Sequence, residues 1–170
     1  MKLKEIINAR QIIDIDTAPN TDNVYTGVCL IANSEIVMLL NFDQENGEFD
    51  GFTIVQNRDF EKFRIWEDDE YSELKNDNSE NVIATIDLNS FIDLETSLKN
   101  LKSKLVTIFT YNDEDTFFVG KVLEVNNDSV ELHLITQDAK WSDVESFKLN
   151  DISYLGFETS YEKEIEKNVT

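Results

Sequence analysis

An internal repeat constrains this chain of 170 residues more than any other feature. When the sequence is shifted by 93 residues, positions 12–42 lie on positions 105–135 without a gap. Self-similarity at a fixed offset indicates that one structural unit occurs more than once. Eight facing pairs are identical: Ile15/Ile108, Thr17/Thr110, Asp22/Asp115, Gly27/Gly120, Leu30/Leu123, Asn33/Asn126, Val37/Val130 and Leu39/Leu132.

The match continues beyond the next polar turn once a single residue is deleted there. At an offset of 92, aromatic and aliphatic residues again face one another, and an aspartate faces an aspartate. The pairs are Phe49/Trp141, Val55/Phe147, Asp59/Asp151, Phe60/Ile152 and Phe63/Leu155. A match that resumes after one deletion in a turn is much rarer by chance than an isolated match. The sequence therefore predicts an internal duplication.

Each copy is predicted to contain one helix followed by about five strands. Residues 129–135, SVELHLI, alternate between apolar and polar side chains, as expected of a strand with one buried face. ANSE (32–35) and VNND (125–128) each separate two apolar runs, which is typical of hairpin turns. Before the second copy, four apolar residues recur at helical spacing, and Asn89 or Ser90 is the predicted helix cap. These four residues are Phe91, Leu94, Leu98 and Leu101.

The segment MKLKEIINAR is the shorter counterpart of that helix before the first copy. The acidic stretch WEDDEYSELKNDNSE, residues 66–80, joins the two copies. The predicted fold class is mainly β (α+β), with a duplicated unit of a helix and a small five-stranded barrel. The predicted boundaries are residues 1–78 for the first barrel with its acidic linker and 79–170 for the second barrel with its preceding helix.

A helix and five strands, with a glycine in the second strand and a hairpin soon after, resemble the Sm-like barrel. Asn33 and Asn126 lie six residues after the two glycines, where that family has Asp. Val37 and Val130 lie ten residues after them, where the family has an RNA-contacting Asn, and its Ile-Arg-Gly motif has no counterpart. The resemblance therefore implies a barrel and argues against Sm-type RNA binding. An unrelated SH3-like barrel with this strand order is the alternative.

The stretch NFDQENGEFDGF (41–52) has the composition of a calcium-binding loop. Such a loop needs oxygen ligands at its first, third and fifth positions and glycine at its sixth. Counted from Asp43, the fifth position is Gly47 and the sixth is Glu48, so the pattern fails. The stretch is predicted to be a hairpin turn.

The net charge of −20 argues against several classes of partner. Phosphate backbones and anionic membrane surfaces are repelled, because both are bound mainly through cationic side chains. A basic protein is attracted at long range, although solubility alone also explains the acidity. No apolar run is long enough for a signal sequence or a membrane span, and the single cysteine cannot form an internal disulfide. We therefore expect a cytoplasmic protein.

The residue inventory gives little support for catalysis, a cofactor or a metal site. His133, the only histidine, lies on the polar face of a predicted strand without a second histidine nearby. Cys29 faces Val122 and is predicted to be a small buried hydrophobe. The acidic runs WEDDE (66–70) and YNDED (111–115) are weak candidates for a divalent ion. We expect a protein that is not an enzyme and that has no cofactor.

One strand differs between the copies in a way that indicates an interface. Ile36, Met38 and Leu40 stand at the positions that Ser129, Glu131 and His133 occupy in the second copy. Three adjacent apolar side chains on an outer strand face are costly to leave in water. The predicted interface residues are therefore Ile36, Met38 and Leu40. The alternatives for their cover are the other copy, a second chain in a homo-oligomer, or a helix of the same chain.

The function that these observations favour is a non-catalytic, acidic protein-interaction module. Inhibitors and immunity-type proteins that neutralise a basic partner are proteins of this kind, by analogy of charge alone. The alternative is a nucleic-acid-binding Sm-like protein, which requires a basic groove. The densest groups of cations are Lys2, Lys4 and Arg10, and Lys99, Lys102 and Lys104.

Overall fold

A computed structural model describes residues 3–17 and 24–170, apart from the side chains of Leu3, Glu114 and Asp115. The chain divides into two units, Met1–Leu88 and Asn89–Thr170. The predicted boundary was after residue 78, but the boundary lies after Leu88, because a helix at Ser79–Ile83 contacts the first unit. Within the described ranges, no helix has the length and apolar content required to span a membrane.

The first unit is a helix followed by five antiparallel strands. Its sheet has the order β5-β1-β2-β3-β4. A short 3-10 helix, Asn57–Asp59, precedes the last strand, and another, Glu70–Glu73, follows it. The elements are α1 (Leu3–Ala9), β1 (Ile12–Thr17), β2 (Val24–Ala32), β3 (Ile36–Asp43), β4 (Glu48–Gln56), β5 (Phe60–Ile65) and α2 (Ser79–Ile83).

The second unit has the same sequence of elements. Its sheet has the order β10-β6-β7-β8-β9, so the fifth strand again lies beside the first. A 3-10 helix, Leu149–Asp151, again precedes the fifth strand. The elements are α3 (Leu94–Asn100), β6 (Leu105–Thr110), β7 (Asp113–Val125), β8 (Ser129–Ile135), β9 (Trp141–Lys148), β10 (Ile152–Phe157) and α4 (Ser160–Asn168). The predicted mainly β fold class is confirmed.

The strand registers of the two units correspond at the offsets of the sequence repeat. Gly27 pairs with Asn41 between β2 and β3, and Gly120 pairs with Leu134 between β7 and β8. Both ladders shift register at the same point, past Cys29 in the first unit and past Val122 in the second. The pair between β4 and β5 is not hydrogen-bonded in the ladders of the described residues, nor is that between β9 and β10. Each sheet is therefore open in these ladders, and closure into a barrel stays a prediction.

The shared glycines are required by the close approach of neighbouring strands. A Cβ atom on Gly27 would lie 2.0 Å from the carbonyl oxygen of Leu40. A Cβ atom on Gly120 would lie 2.8 Å from the carbonyl oxygen of His133. Both distances are shorter than any ordinary van der Waals contact, so a side chain at either position would push the strands apart.

Each of the two hairpin turns is stabilised by an asparagine at the equivalent position. Asn33 Oδ1 accepts hydrogen bonds from the backbone N–H groups of Glu35 (2.8 Å) and Ile36 (2.9 Å). Asn126 Oδ1 accepts the corresponding bonds from Asp128 (3.0 Å) and Ser129 (2.9 Å). An asparagine side chain that bonds to its own backbone in this way favours a tight turn. The predicted turns at 32–35 and 125–128 are confirmed, whereas Asp22 of the repeat lies outside the described residues.

The prediction of the helix cap was wrong. α3 begins at Leu94, and the Asp93 carboxylate accepts the backbone N–H of Thr96 at 2.6 Å. Asn89 and Ser90 lie instead in a separate 3-10 turn, Leu88–Ser90. The predicted apolar face is confirmed, since all four of its residues are buried: Phe91, Leu94, Leu98 and Leu101.

Candidate binding site on the first unit

The chain after β5 folds back onto the first unit instead of forming a free linker. We call residues 66–83 the acidic segment. The backbone N–H of Trp66 donates to the carbonyl of Ile12 at 3.0 Å, and the N–H of Ile12 donates to the Tyr71 hydroxyl at 3.1 Å. The Trp66 ring makes edge contacts with Phe42 at 5.1 Å and with Tyr71 at 5.9 Å between centroids. Aromatic packing and two hydrogen bonds with the backbone of Ile12 therefore fix the start of the segment.

A cluster of charged groups fixes the same region from the outside. The Arg64 guanidinium donates to both oxygens of Glu70, at 2.7 and 2.8 Å, and to Asp14 at 2.5 Å. Asp14 also accepts the indole N–H of Trp66 at 3.1 Å. The bonds from Arg64 and from the backbone N–H of Glu67 lower the pKa of Glu70 from 4.5 to about 2. Since these carboxylates are engaged by Arg64, the cluster is an anchor and not an acid/base pair.

The middle of the acidic segment pairs with the turn that precedes β4. The carbonyl of Gly47 accepts the N–H groups of Lys75 (2.8 Å) and Asn76 (3.1 Å). The Asn78 side chain accepts the N–H of Phe49 at 2.8 Å and donates to its carbonyl at 2.9 Å. Gly47 has φ +67°, and a Cβ there would lie 2.5 Å from the carbonyl of Glu73. The turn predicted in NFDQENGEFDGF is confirmed, and its glycine makes room for the acidic segment.

A cavity of about 230 Å³ lies between the acidic segment and the sheet. Four apolar side chains of the sheet, one from each of the strands β1 to β4, line one side, and three side chains of the acidic segment line the other. Charged and hydroxyl side chains complete the lining. The sheet contributes Ile12, Val28, Leu40 and Phe49, the segment contributes Tyr71, Leu74 and Ile83, and the polar lining consists of Arg10, Asp77, Ser79 and Glu80.

The charges that line the cavity are not neutralised by one another. Asp77 accepts only the backbone N–H of Ser79, at 3.1 Å, among the hydrogen bonds of the described residues. Within the described part of the chain, neither Arg10 nor Glu80 has an ion-pair partner. Arg10 has φ 53° and follows α1 directly, which places it beside the first strand.

The acidic segment carries a strong local excess of negative charge. Lys75 is its one cation, against seven carboxylates. Six of these side chains are exposed, and only Glu70 is tied to an arginine. The six are Glu67, Asp68, Asp69, Glu73, Asp77 and Glu80. A rigid segment with this charge attracts cations to the cavity beside it.

The predicted interface residues are buried within the chain. Ile36 is 1% exposed, and Met38 and Leu40 are 0% exposed. Leu40 lies in the cavity wall, opposite side chains of the acidic segment. At the corresponding positions of β8, Glu131 is exposed and Ser129 and His133 are half-buried. Contact of these residues with a second chain stays a prediction.

The cysteine and the histidine are both engaged in packing. Cys29 is buried, as predicted, and burial raises the pKa of its thiol to about 12, which suppresses the nucleophilic thiolate. His133 stacks on Trp141 with 4.4 Å between ring centroids. No group of three or more histidine, cysteine or acidic side chains that could hold a metal ion occurs among the described residues. The run at 111–115 lies partly outside them, since the side chains of Glu114 and Asp115 are not described.

Sequence reasoning missed the acidic segment as part of a site. The signal was available in the two aromatic residues, Trp66 and Tyr71, that interrupt an otherwise polar stretch. Large aromatic side chains in such a stretch indicate that it packs against something. No protein-family model, curated protein or solved structure matches this chain.

Proposed function

We propose that this protein is a non-catalytic, cytoplasmic interaction module that binds a basic protein, as inhibitors and immunity-type proteins do. The single observation that carries the proposal is the acidic segment, which is held on the first unit by hydrogen bonds and aromatic contacts while six of its carboxylates stay exposed. Carboxylates on a preorganised backbone bind a cationic surface at a lower entropic cost than carboxylates on a free linker. The net charge of −20 steers such a partner towards the protein.

We further propose that the two units are copies of one small barrel of the Sm-like or SH3-like kind. Their common strand order and their corresponding registers support duplication. In the first unit, the contact between Trp66, which follows β5, and Phe42 of β3 supports strong bending of the sheet, since these strands are not neighbours in it. Small barrels of this kind display binding surfaces on a stable scaffold and support many unrelated functions.

The proposal is tested by quantitative affinity capture from cells of the source organism. The protein is compared with Asp68→Lys/Asp69→Lys, in the acidic segment, and with Glu164→Lys/Glu166→Lys, on α4. Both variants change the net charge equally, and all four side chains are exposed. We expect a basic protein to be captured in stoichiometric amounts, to be lost with the first variant and to be retained with the second.

Equal loss with both variants would show that only the bulk charge matters. Capture of no basic protein would also refute the proposed function. Circular dichroism of both variants controls for folding.

A further inference from the structure

The cavity under the acidic segment combines an apolar wall with carboxylates, and neither the strand repeat nor the bulk charge accounts for that combination. We propose that it receives one aliphatic or aromatic side chain of the basic partner, while a lysine or arginine next to that side chain meets Asp77 and Glu80. This inference rests on the proposed function and names the recognition element of the partner.

The volume of the cavity suits a single side chain. Pockets for drug-sized ligands occupy about 300–1,000 Å³. A dry apolar cavity of about 150 Å³ is enough for benzene. At about 230 Å³, this cavity therefore fits an isobutyl, phenyl or slightly larger group and is too small for an extended ligand.

The chemistry of the wall also suits an apolar side chain. Tyr71, Leu74 and Ile83 are half-buried and present aromatic and aliphatic surface to the cavity. Ile12, Leu40 and Phe49 are buried and form its base. An apolar anchor that enters such a pocket contributes a large share of the affinity of many interfaces. The wall is preorganised, because Asn78 bonds twice to the backbone of Phe49.

The charged residues at the cavity determine which residue of the bound protein can lie next to its apolar side chain. Asp77 and Glu80 lie close together in sequence, and Glu80 has no ion-pair partner in the described part of the chain. A lysine or arginine of the bound protein, next to the apolar side chain in the cavity, would form an ion pair with Glu80. Arg10 carries the opposite charge, so it disfavours a cationic segment and favours a ligand with a carboxylate. Substitution of Arg10 therefore changes the affinity in opposite directions for the two kinds of ligand.

The test uses two blocked peptides, acetyl-Lys-Lys-Leu-Lys-Lys-amide and its Ser-centred analogue, titrated into the full chain by calorimetry. Burial of a leucine side chain should make the first peptide bind roughly tenfold to a hundredfold more tightly than the second. Equal affinities of the two peptides would refute binding of an apolar side chain in the cavity, while binding through charge alone would remain possible. Failure of both peptides to bind would overturn the inference, and the proposed function is judged separately by the capture experiment.

Three variants and a matched control, Ile92→Trp, sharpen the result. Ile83→Trp, which fills the cavity, should reduce the affinity of the leucine peptide to that of the serine peptide, whereas Ile92→Trp, at an exposed site in the second unit, should change neither. Asp77→Lys/Glu80→Lys should weaken both peptides, and Arg10→Glu should tighten both. Weaker binding by Arg10→Glu would contradict the inference and indicate an anionic ligand.

A second variant guards against misfolding of Ile83→Trp. Leu74→Ala enlarges the cavity, so it should shift the preference from the leucine peptide towards a tryptophan-centred one. An unchanged ratio of the two affinities in Leu74→Ala would refute the cavity as the anchor site.

Discussion

β3 of the first unit and β8 of the second have the same register but different surroundings. One face of each strand is buried in both units, through Val37 and Leu39 and through Val130 and Leu132. The other face is buried only in β3, where it consists of Ile36, Met38 and Leu40, whereas β8 presents Ser129, Glu131 and His133. The comparison teaches that the shared strands set the register, whereas the packing around each strand sets the character of its outer face.

The two units differ most after their fifth strands. In the first unit, the acidic segment returns to the start of β4, where the backbone N–H of Lys75 donates to the carbonyl of Gly47. In the second unit, Thr170 bonds to the carbonyl of Ala139 at the corresponding place, at 3.1 Å. Trp141 (36% exposed) and Val144 (56% exposed) lie on β9 without the cover that Phe49 and Phe52 have on β4. The first unit therefore has a cavity at the place where the acidic segment covers its sheet.

The largest expected effect comes from exchanging the outer faces of β3 and β8. Met38→Glu/Leu40→His places polar groups at two fully buried positions and removes apolar burial worth about 3–6 kcal/mol. Glu131→Met/His133→Leu should change the free energy of unfolding by less than about 1 kcal/mol. Urea denaturation followed by circular dichroism measures both.

Light scattering on the same variants tests the alternative that β3 contacts a second chain. If Met38→Glu/Leu40→His keeps the wild-type stability but loses self-association, the face is an intermolecular interface. If it changes neither, burial of β3 has no energetic importance and the comparison fails.

A smaller difference is expected at the shared glycines. Gly27→Ala should destabilise the protein by about 3 kcal/mol, because its methyl group would meet the Leu40 carbonyl at 2.0 Å. Gly120→Ala should cost about 1–2 kcal/mol, because the corresponding distance is 2.8 Å. Thermal and urea denaturation give both values. The reverse order, or no effect at Gly27, would show that β2 and β3 do not approach each other so closely.

These shared features are the part of the fold that the sequence predicts well. The offsets of 93 and 92 residues anticipate which residues pair across strands, because register depends on local alternation and turn length. The turns at Asn33 and Asn126 follow from local chemistry in the same way. The start of α3 was misplaced because several polar residues precede it, and only the geometry shows that Asp93 reaches the Thr96 N–H.

The candidate site was not predictable to the same degree. Its contacts join residues far apart in sequence, such as Ile12 with Tyr71 and Phe49 with Asn78. No local pattern shows that a polar stretch will return to a particular strand. The apolar residues on β3 revealed that a cover was needed, but they did not show which segment provides it.

The two asparagine turns should respond equally. Asn33→Ala and Asn126→Ala each remove two hydrogen bonds between a side chain and the backbone. Each substitution should cost about 1 kcal/mol, measured by urea denaturation. Since the turns have the same geometry, a difference much larger than the experimental error would contradict their equivalence.

The smallest expected effect is the pH response of the anchor at Arg64, which has Gly156 as its counterpart in the second unit. A carboxylate whose pKa is lowered on folding stabilises the fold fully above its ordinary pKa of 4.5 and loses this contribution as the pH falls through about 2. Glu70→Gln should therefore have a lower free energy of unfolding than the wild type at pH 7, measured by urea denaturation followed by tryptophan fluorescence. The difference should vanish towards pH 2, whereas Glu73→Gln should follow the wild type throughout.

The central claim is that the first unit binds a basic partner in the cavity under the acidic segment and that the second unit does not bind it at the corresponding face. The most direct test is a backbone amide NMR titration of the full chain with the leucine-centred peptide. We predict shifts at Leu40, Phe49 and residues 74–83, and none at His133, Trp141 and Val144. Shifts confined to the second set, or spread evenly over all exposed carboxylates, would contradict the claim.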